Sequence, residues 1–249
     1  MRRNIAIIAV AAILLAIFGW NPFLVYPDAD TVVAEGYASP ETGVVRQGNG
    51  VYRVRALTRM PNVKAHMVRW WFADYMQTTE HYQRWHPGAH VWMDWENKVP
   101  GEIIGASHLV HEYLGTELHK LRIQFIEPSE LLGEVEPLDG RFIICARAGA
   151  LEMPINLTAM CHIVRNTAWG AEMRSIFWIG HVAKRDGNEE MFSVEGLLGN
   201  TALARWLLVD RRFAEALMIH AVEEMGYLSD FLPSLYLAET SVVRETREQ

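Results

Sequence analysis

Ten histidines occur among the 249 residues, and a few of them stand where imidazoles could hold a metal ion. His86-Pro87-Gly88-Ala89-His90 sets two imidazoles four residues apart. On one helical turn both would reach a single ion about 2 Å away. Pro87 suits the first turn of a short helix, with His86 just before it. The spacing alone decides little, because such pairs also occur on surfaces and in cores. In a strand, His108, Val110 and Glu112 of the run 108–112 face one way. A carboxylate facing a cavity beside imidazoles would complete a metal shell, whereas a buried charge without a partner is costly. The other reading of that run is an exposed sheet edge. His220 lies among apolar residues of helical period and, taken alone, reads as a core histidine. His181, in Phe177-Trp178-Ile179-Gly180-His181, falls on a strand. Pointing inward, it would act as a general acid/base or hydrogen-bond a substrate. Pointing outward, it is an exposed strand residue.

The elements around these residues follow from periodicity. Residues 51–58 alternate, Tyr52, Val54 and Ala56 opposing Arg53 and Arg55, as in a half-buried strand. Pro61-Asn62 opens a helix over 63–76 with Met67, Trp70 and Trp71 on its apolar stripe. Strands are expected at 103–113, 117–126, 131–136, 141–148, 157–165, 171–183 and 190–195, separated by Gly-, Pro- and Asn-rich joints. Asn200 or Thr201 caps a long helix reaching about Leu228. Leu203, Trp206, Leu207, Phe213, Leu217 and Val222 supply its apolar face. Pro233 and a polar tail over 239–249 close the chain. A strand, short helices, an antiparallel meander and one long final helix define an α+β helix-grip arrangement, with a cavity between the sheet and that helix. The domain is expected over 50–238, behind a linker at 27–49 rich in Asp, Gly, Ser and Pro.

Composition limits the function classes. The chain has 30 acidic and 23 basic residues, a net charge of −7, and no basic cluster. Phosphate neutralisation supplies most nucleic-acid affinity, so nucleic acid is excluded as a partner. Cys145 and Cys161 are too few for a disulfide framework or a cysteine zinc site. They are expected as buried free thiols, or as a cross-hairpin bridge in an oxidising compartment. At the N-terminus, Arg2 and Arg3 precede residues 5–20, all apolar or Gly, and residues 23–26 are apolar again. That length spans a bilayer. The arginines stay cytoplasmic, since no further Lys or Arg appears before Arg46. Residues 1–26 are therefore expected to be a membrane anchor with the rest outside the cytoplasm, periplasmic in a Gram-negative cell. A cleaved signal segment would give a secreted protein instead.

Taken together, several segments resemble the diacetylphloroglucinol hydrolase family. The first is Arg69-Trp70-Trp71-Phe72 followed by His81-Tyr82-Gln83-Arg84-Trp85-His86-Pro87-Gly88-Ala89-His90. The second is Val110-His111-Glu112-Tyr113-Leu114-Gly115, and the third Phe177-Trp178-Ile179-Gly180. The fourth is His220-Ala221-Val222-Glu223-Glu224-Met225, with Leu228, and then Phe231-Leu232-Pro233-Ser234-Leu235-Tyr236. The resemblance runs over residues 51–237. It implies a birch-pollen-allergen or START-like helix-grip fold. It also implies a zinc ion held by His86, His90, His220 and Glu112, with Glu117 in reserve for the glutamate. The implied activity is hydrolysis of a carbon–carbon bond, an acetyl group leaving an acylated phloroglucinol ring as acetate, with His181 or a cavity tyrosine giving the ring its proton. The small aromatic ketone is then the substrate. The anchor is not part of the family pattern and implies a different physiological one. Two other readings compete. A tethered carrier of apolar or aromatic ligands would use the same cavity without catalysis. Two histidines and a carboxylate with open positions would suit ferrous iron and oxygen; a fourth protein ligand argues against that.

Overall fold

The computed structural model describes residues 10, 26 and 29–247. Apart from Val10 and Tyr26, the expected anchor over 1–26 lies outside the described residues. Among the described residues, no helix is long and apolar enough to cross a membrane.

In chain order the elements are α1 (Ala29–Val32), β1 (Gly43–Arg46), β2 (Tyr52–Pro61), α2 (Ala65–Trp70), running on through a π-helical turn at Trp71–Tyr75, and α3 (Thr79–Trp85). Then follow β3 (His90–Glu96), β4 (Ser107–Leu114), β5 (Glu117–Ile126), α4 (Ser129–Leu132), β6 (Arg141–Ala150), β7 (Ile155–Thr167), β8 (Gly170–Asp186) and β9 (Glu189–Met191). The chain ends in α5 (Val194–Gly199), α6 (Ala202–Leu208) and the long α7 (Arg211–Arg247). The strands form one antiparallel sheet in the order β1-β2-β8-β7-β6-β5-β4-β3, with β9 on β8. Helix α7 packs on one face, its Met225, Leu228 and Leu232 buried against Trp71, Phe72, Val110 and Ile144. A curved sheet gripped by a C-terminal helix is the helix-grip fold that the segment order predicts.

The opposite, convex face is covered as well. Residues 29–49 do not form the expected linker: Val32 packs with Ile176 and Trp178. Arg174 donates to the carbonyls of Val32 and Ala34 and pairs with Glu41 at 3.0 Å. Tyr37 donates to Glu172 at 2.8 Å. This covering explains why β8 is buried over its first eleven residues without alternation. Cys145 and Cys161 are register partners on β6 and β7 and form a disulfide, not two free thiols.

Several expected boundaries move for local reasons. Pro128 and Ser129 start a single helical turn, α4, where a strand at 131–136 was expected, and Gly133 at φ 70° ends it. The strand expected at 190–195 stops at Met191, because the Ser193 side chain accepts from the Gly196 amide and starts α5. Thr201 caps only the short α6. The chain breaks at Val209, and Asp210 accepts from the Arg212 amide at 3.0 Å to begin α7. That helix passes Pro233 and includes residues 239–247, expected as a polar tail. Strand β3 was not expected, since Asp94 and Glu96 hide its alternation.

Backbones approach closely where β6 meets β7. The register shifts between Ala148 and Gly149. A Cβ on Gly149 would lie 1.9 Å from the Ile155 carbonyl oxygen and 2.7 Å from the Asn156 Cα. Backbone cannot yield as a flexible side chain can. Gly149→Ala should destabilise the protein by about 2 kcal/mol or more, read from the denaturant midpoint at constant m-value.

Candidate metal centre and cavity

A cavity of about 470 Å³ lies between the sheet and α7. Its wall is mostly apolar, with Phe72, Trp85, Leu121, Phe125, Met160 and Phe177 among its lining. Glu112, His220 and Glu224 meet at one place in that wall, with His90 buried directly behind them. Strand alternation turns His108, Val110 and Glu112 of β4 inward, as the sequence predicts, and all three are buried. His220 and Glu224 lie one turn apart on α7, on the face it presents to the sheet.

The donor atoms converge. His90 Nε2 lies 3.4 Å from His220 Nε2 and 3.7 Å from Glu224 Oε2. His220 Nε2 lies 3.9 Å from Glu112 Oε2 and 3.8 Å from Glu224 Oε2. His90, Glu112 and His220 each offer an atom within 4.8 Å of the others. Ligands at 2.0–2.2 Å from a tetrahedral ion stand about 3.3–3.6 Å apart. The His90–His220 separation falls within that range, and the other three separations are a few tenths of an ångström wider. The His90 imidazole is also oriented for an ion. His90 Nδ1 is 2.8 Å from the Tyr82 carbonyl, so this nitrogen carries the proton and Nε2 keeps a free lone pair. Tyr82 donates its hydroxyl proton to Glu112.

Electrostatics point the same way. Burial pushes the His90 imidazole down to about 2, helped by His220, and His220 down to about 4, helped by His86. Burial pushes the carboxyls of Glu112 and Glu224 up, and Glu224 is raised further by Glu112. The imidazoles resist becoming cations, and the carboxyls resist becoming anions. A divalent cation reverses the balance for the carboxyls and uses the neutral imidazoles as they are. The donor set fits a metal ion.

The expected residues divide. His90, Glu112 and His220 come together. Glu117 does not, since its side chain is 83 % exposed beside His119. His86 lies beside His90 and His220 and is buried as they are, its ring centroid 5.4 Å from that of His90, against 5.3 Å between His90 and His220. It caps the end of α3, and residues 87–89 make a single turn closed by the His90 amide on the His86 carbonyl at 2.9 Å, the four-residue bond of a helical turn, before β3 begins. Its Nε2 is 3.3 Å from Glu223, its ring stacks on His220 at 5.0 Å, and its buried Nδ1 has no partner among the described residues. Glu224, not among the expected residues, lies beside His90 and His220. The sequence carried the signal in His220 and Glu224 four apart on a helix. His181 does not face the cavity: its Nε2 is 3.1 Å from Glu190, and its ring lies near Tyr26 on the convex side. The cause is Gly180, at φ 107°, where two extra residues of β8 loop out between Ile179 and Ala183 and shift the alternation. His108 and His119 line the cavity in its place, and His108 is buried against Tyr82 and Trp95.

Fold and site together define a helix-grip protein with a buried cluster of carboxyls and imidazoles, able to hold a metal ion, beside an apolar cavity. A family model described as the DAPG hydrolase PhiG domain matches residues 24–237. The chain belongs to this family. It is 26 % identical over 233 residues to a 2,4-diacetylphloroglucinol hydrolase of a Pseudomonas species, the match covering 84 % of this chain and 75 % of the relative. The protein of that name from Pseudomonas protegens is likewise 26 % identical, over 84 % of this chain and 72 % of its own. Among solved structures, Ara h 8.0201 matches at 6 % identity with a TM-score of 0.43, over 74 % of this chain and 99 % of its own. A norcoclaurine synthase of Thalictrum matches at 11 % identity and a TM-score of 0.36, over 76 % and 98 %.

Two outcomes follow. Elemental analysis of His86→Ala, His90→Ala, Glu112→Gln and His220→Ala should each show loss of bound metal. Away from the cluster, burial lowers His162 to about 4. The folded state keeps this imidazole neutral, while the unfolded chain protonates it below about 6.5. Its contribution is whole above pH 6.5 and is lost as pH falls towards 4, by up to about 3 kcal/mol. Urea unfolding of His162→Gln should show a shallower decline across this window than the parent.

Proposed function

We propose that this protein is a zinc-dependent hydrolase that cleaves the carbon–carbon bond between an acyl group and the ring of an acylated phenol, an acyl-phloroglucinol-like ketone, releasing a carboxylic acid. The observation that carries this reading is the convergence of His90, Glu112, His220 and Glu224 at the wall of a mostly apolar cavity. The names of the Pseudomonas relatives support the substrate class. Four nitrogen and oxygen donors favour zinc over ferrous iron, because the fourth occupies a position that oxygen chemistry needs open. Bound zinc would polarise a ketone oxygen and lower the pKa of a water towards about 7.

The chain's own side chains do the rest. The apolar wall receives the aromatic ring and strips it of water, which strengthens every polar contact at the cluster. The Tyr82 hydroxyl donates to Glu112 and fixes the orientation of that carboxyl at the cluster. In the overall reaction, water supplies hydroxide to the acyl carbon and a proton to the ring carbon, which leaves with the bonding electron pair. Phenolic oxygens beside that carbon spread its charge. The proton comes from the concave face, where His119 lines the cavity and is open enough to recover its proton from solvent. A carrier of apolar cargo would share the cavity but has no use for two buried carboxyls beside two imidazoles.

Location is part of the reading. The apolar N-terminal residues tether the domain outside the cytoplasm, in the periplasm of a Gram-negative cell. The Cys145–Cys161 disulfide supports an oxidising compartment.

The full chain should release acetate from mono- or diacetylphloroglucinol, lose that activity to a chelator and regain it with zinc. Tyr82→Phe should lower kcat by about 10²-fold with a smaller change in KM, and His119→Ala should slow turnover. His181→Ala should turn over normally. Tight binding of these ketones without acetate release would establish the carrier instead.

A further inference from the structure

The segment from Phe192 to Leu208, which carries α5 and α6, exposes an unusual amount of apolar surface. Phe192 is 90 % exposed, Leu207 75 % and Leu208 78 %, and Val194, Leu198 and Trp206 are also exposed. Its only charged residues are Glu195 and Arg205. Arg205 is buried, donating to the Gly180 carbonyl at 2.7 Å and to Asn200 at 3.0 Å. Soluble domains rarely leave so continuous an apolar stretch in water.

Two placements say what covers it. The first is the cavity. Gly199, Ala204, Leu208 and Val209 line it, so the inner side of this segment is cavity wall while its outer side is bare. The metal cluster lies deeper, since His220 is nine residues along α7 from its first residue, about 14 Å at the helical rise. The second is the apolar N-terminal stretch. Tyr26, its last residue, packs its ring 5.1 Å from Trp178 and 6.4 Å from His181. His181 in turn pairs with Glu190 of β9, two residues before Phe192. The stretch read as a bilayer anchor therefore joins the domain beside the start of the apolar segment. Arg46 stacks its guanidinium 3.8 Å over the Trp206 ring. An indole with an adjacent cation suits the level of lipid headgroups.

We propose that α5 and α6 lie on the bilayer that holds the N-terminal stretch and open the cavity to it, so that an apolar substrate passes from lipid to the metal cluster without crossing water. The proposal rests on the anchor and on the apolar ketone substrate argued above, and it adds a docking surface and a route. The bilayer, rather than a second protein, is the occupant, because the chain's own membrane-length apolar stretch meets the domain at this place.

The test uses the full chain in phosphatidylcholine vesicles. With both native cysteines in the disulfide, Leu207→Cys offers a single thiol for a nitroxide label. Leu237→Cys, exposed on α7 about 40 Å along that helix from its start, is the control. Vesicle flotation reports the anchor; collisions with oxygen and with an aqueous nickel complex report docking. The expected result is flotation with an oxygen-to-nickel accessibility ratio about tenfold higher at 207 than at 237, as for a side chain at the headgroup–acyl boundary. Flotation with both labels equally open to nickel overturns the docking and leaves the anchor standing. A 207 label shielded from both reagents overturns it too, because protein then covers the patch. Failure to float overturns anchor and docking together. Neither readout depends on turnover, so acetate release judges the hydrolase reading separately.

Discussion

Two carboxyls and two imidazoles meet in one dry place at the cavity wall, and none of the four holds its charge there unaided. Removing a charge from water into an apolar interior costs several kcal/mol unless a partner repays it. Burial drives Glu112 and Glu224 towards the neutral acid and His90 and His220 towards the neutral base. A cluster kept for stability would pair each carboxyl with a nearby cation, as Glu172 pairs with Arg165 at 2.8 Å on the convex side. The cavity wall carries no such arrangement. What reconciles the four groups is a divalent cation, and the Tyr82 carbonyl has already set the His90 tautomer that such an ion needs.

The rest of the fold serves to bring these groups from distant parts of the chain to one point. His90 comes from the start of β3 after the turn that follows α3, Glu112 from β4 next to that edge strand, and the other two from one face of α7. The helix is held by its own greasy stripe: Met225, Leu228 and Leu232 bury against the aromatic floor beyond the cluster, and Ala214 and Ala221 against β2 and β8 before it. Small residues at 214 and 221 let the helix approach the sheet closely. The Trp85 indole, donating to the Glu224 carbonyl at 2.9 Å, ties α3 to α7 beside the ligands. Interiors packed in this way are not continuously deformable, so the donors keep their separation without the ion.

Much of this was legible in the sequence, and the failures have identifiable causes. Alternation around 108–112 placed Glu112, because a strand with one buried face must alternate. The segment order gave the helix grip. His86 and His90 come within 5.4 Å ring to ring although the helix stops at Trp85, because the His90 amide bonds the His86 carbonyl across one isolated turn. His181 failed because counting by twos assumes an unbroken strand, and Gly180 in a left-handed conformation resets the count. Glu224 was visible in principle: His220 and Glu224 are a helical i, i+4 pair, but a glutamate among Glu223 and Glu224 looks like solvated surface until the helix is rotated against the sheet. Residues 29–49 looked like a linker because their contacts are backbone carbonyls offered to Arg174 and Arg165, which side-chain patterns do not reveal.

Asymmetry between the two faces of the sheet gives the molecule its direction. The convex face is closed by the N-terminal arm, by α4 and by the disulfide, and its buried charges are paired. The concave face is left open by a few helical turns, and its buried charges are not paired. An apolar cavity with one polar place orients a substrate without many specific contacts: the ring goes where water is least welcome, and its polar acyl group is left facing the cluster. Excluding water there also raises the worth of each electrostatic contact, since the local dielectric falls. The apolar lining and the unpaired carboxyls are thus a single device, the first making the second costly to keep and effective to use.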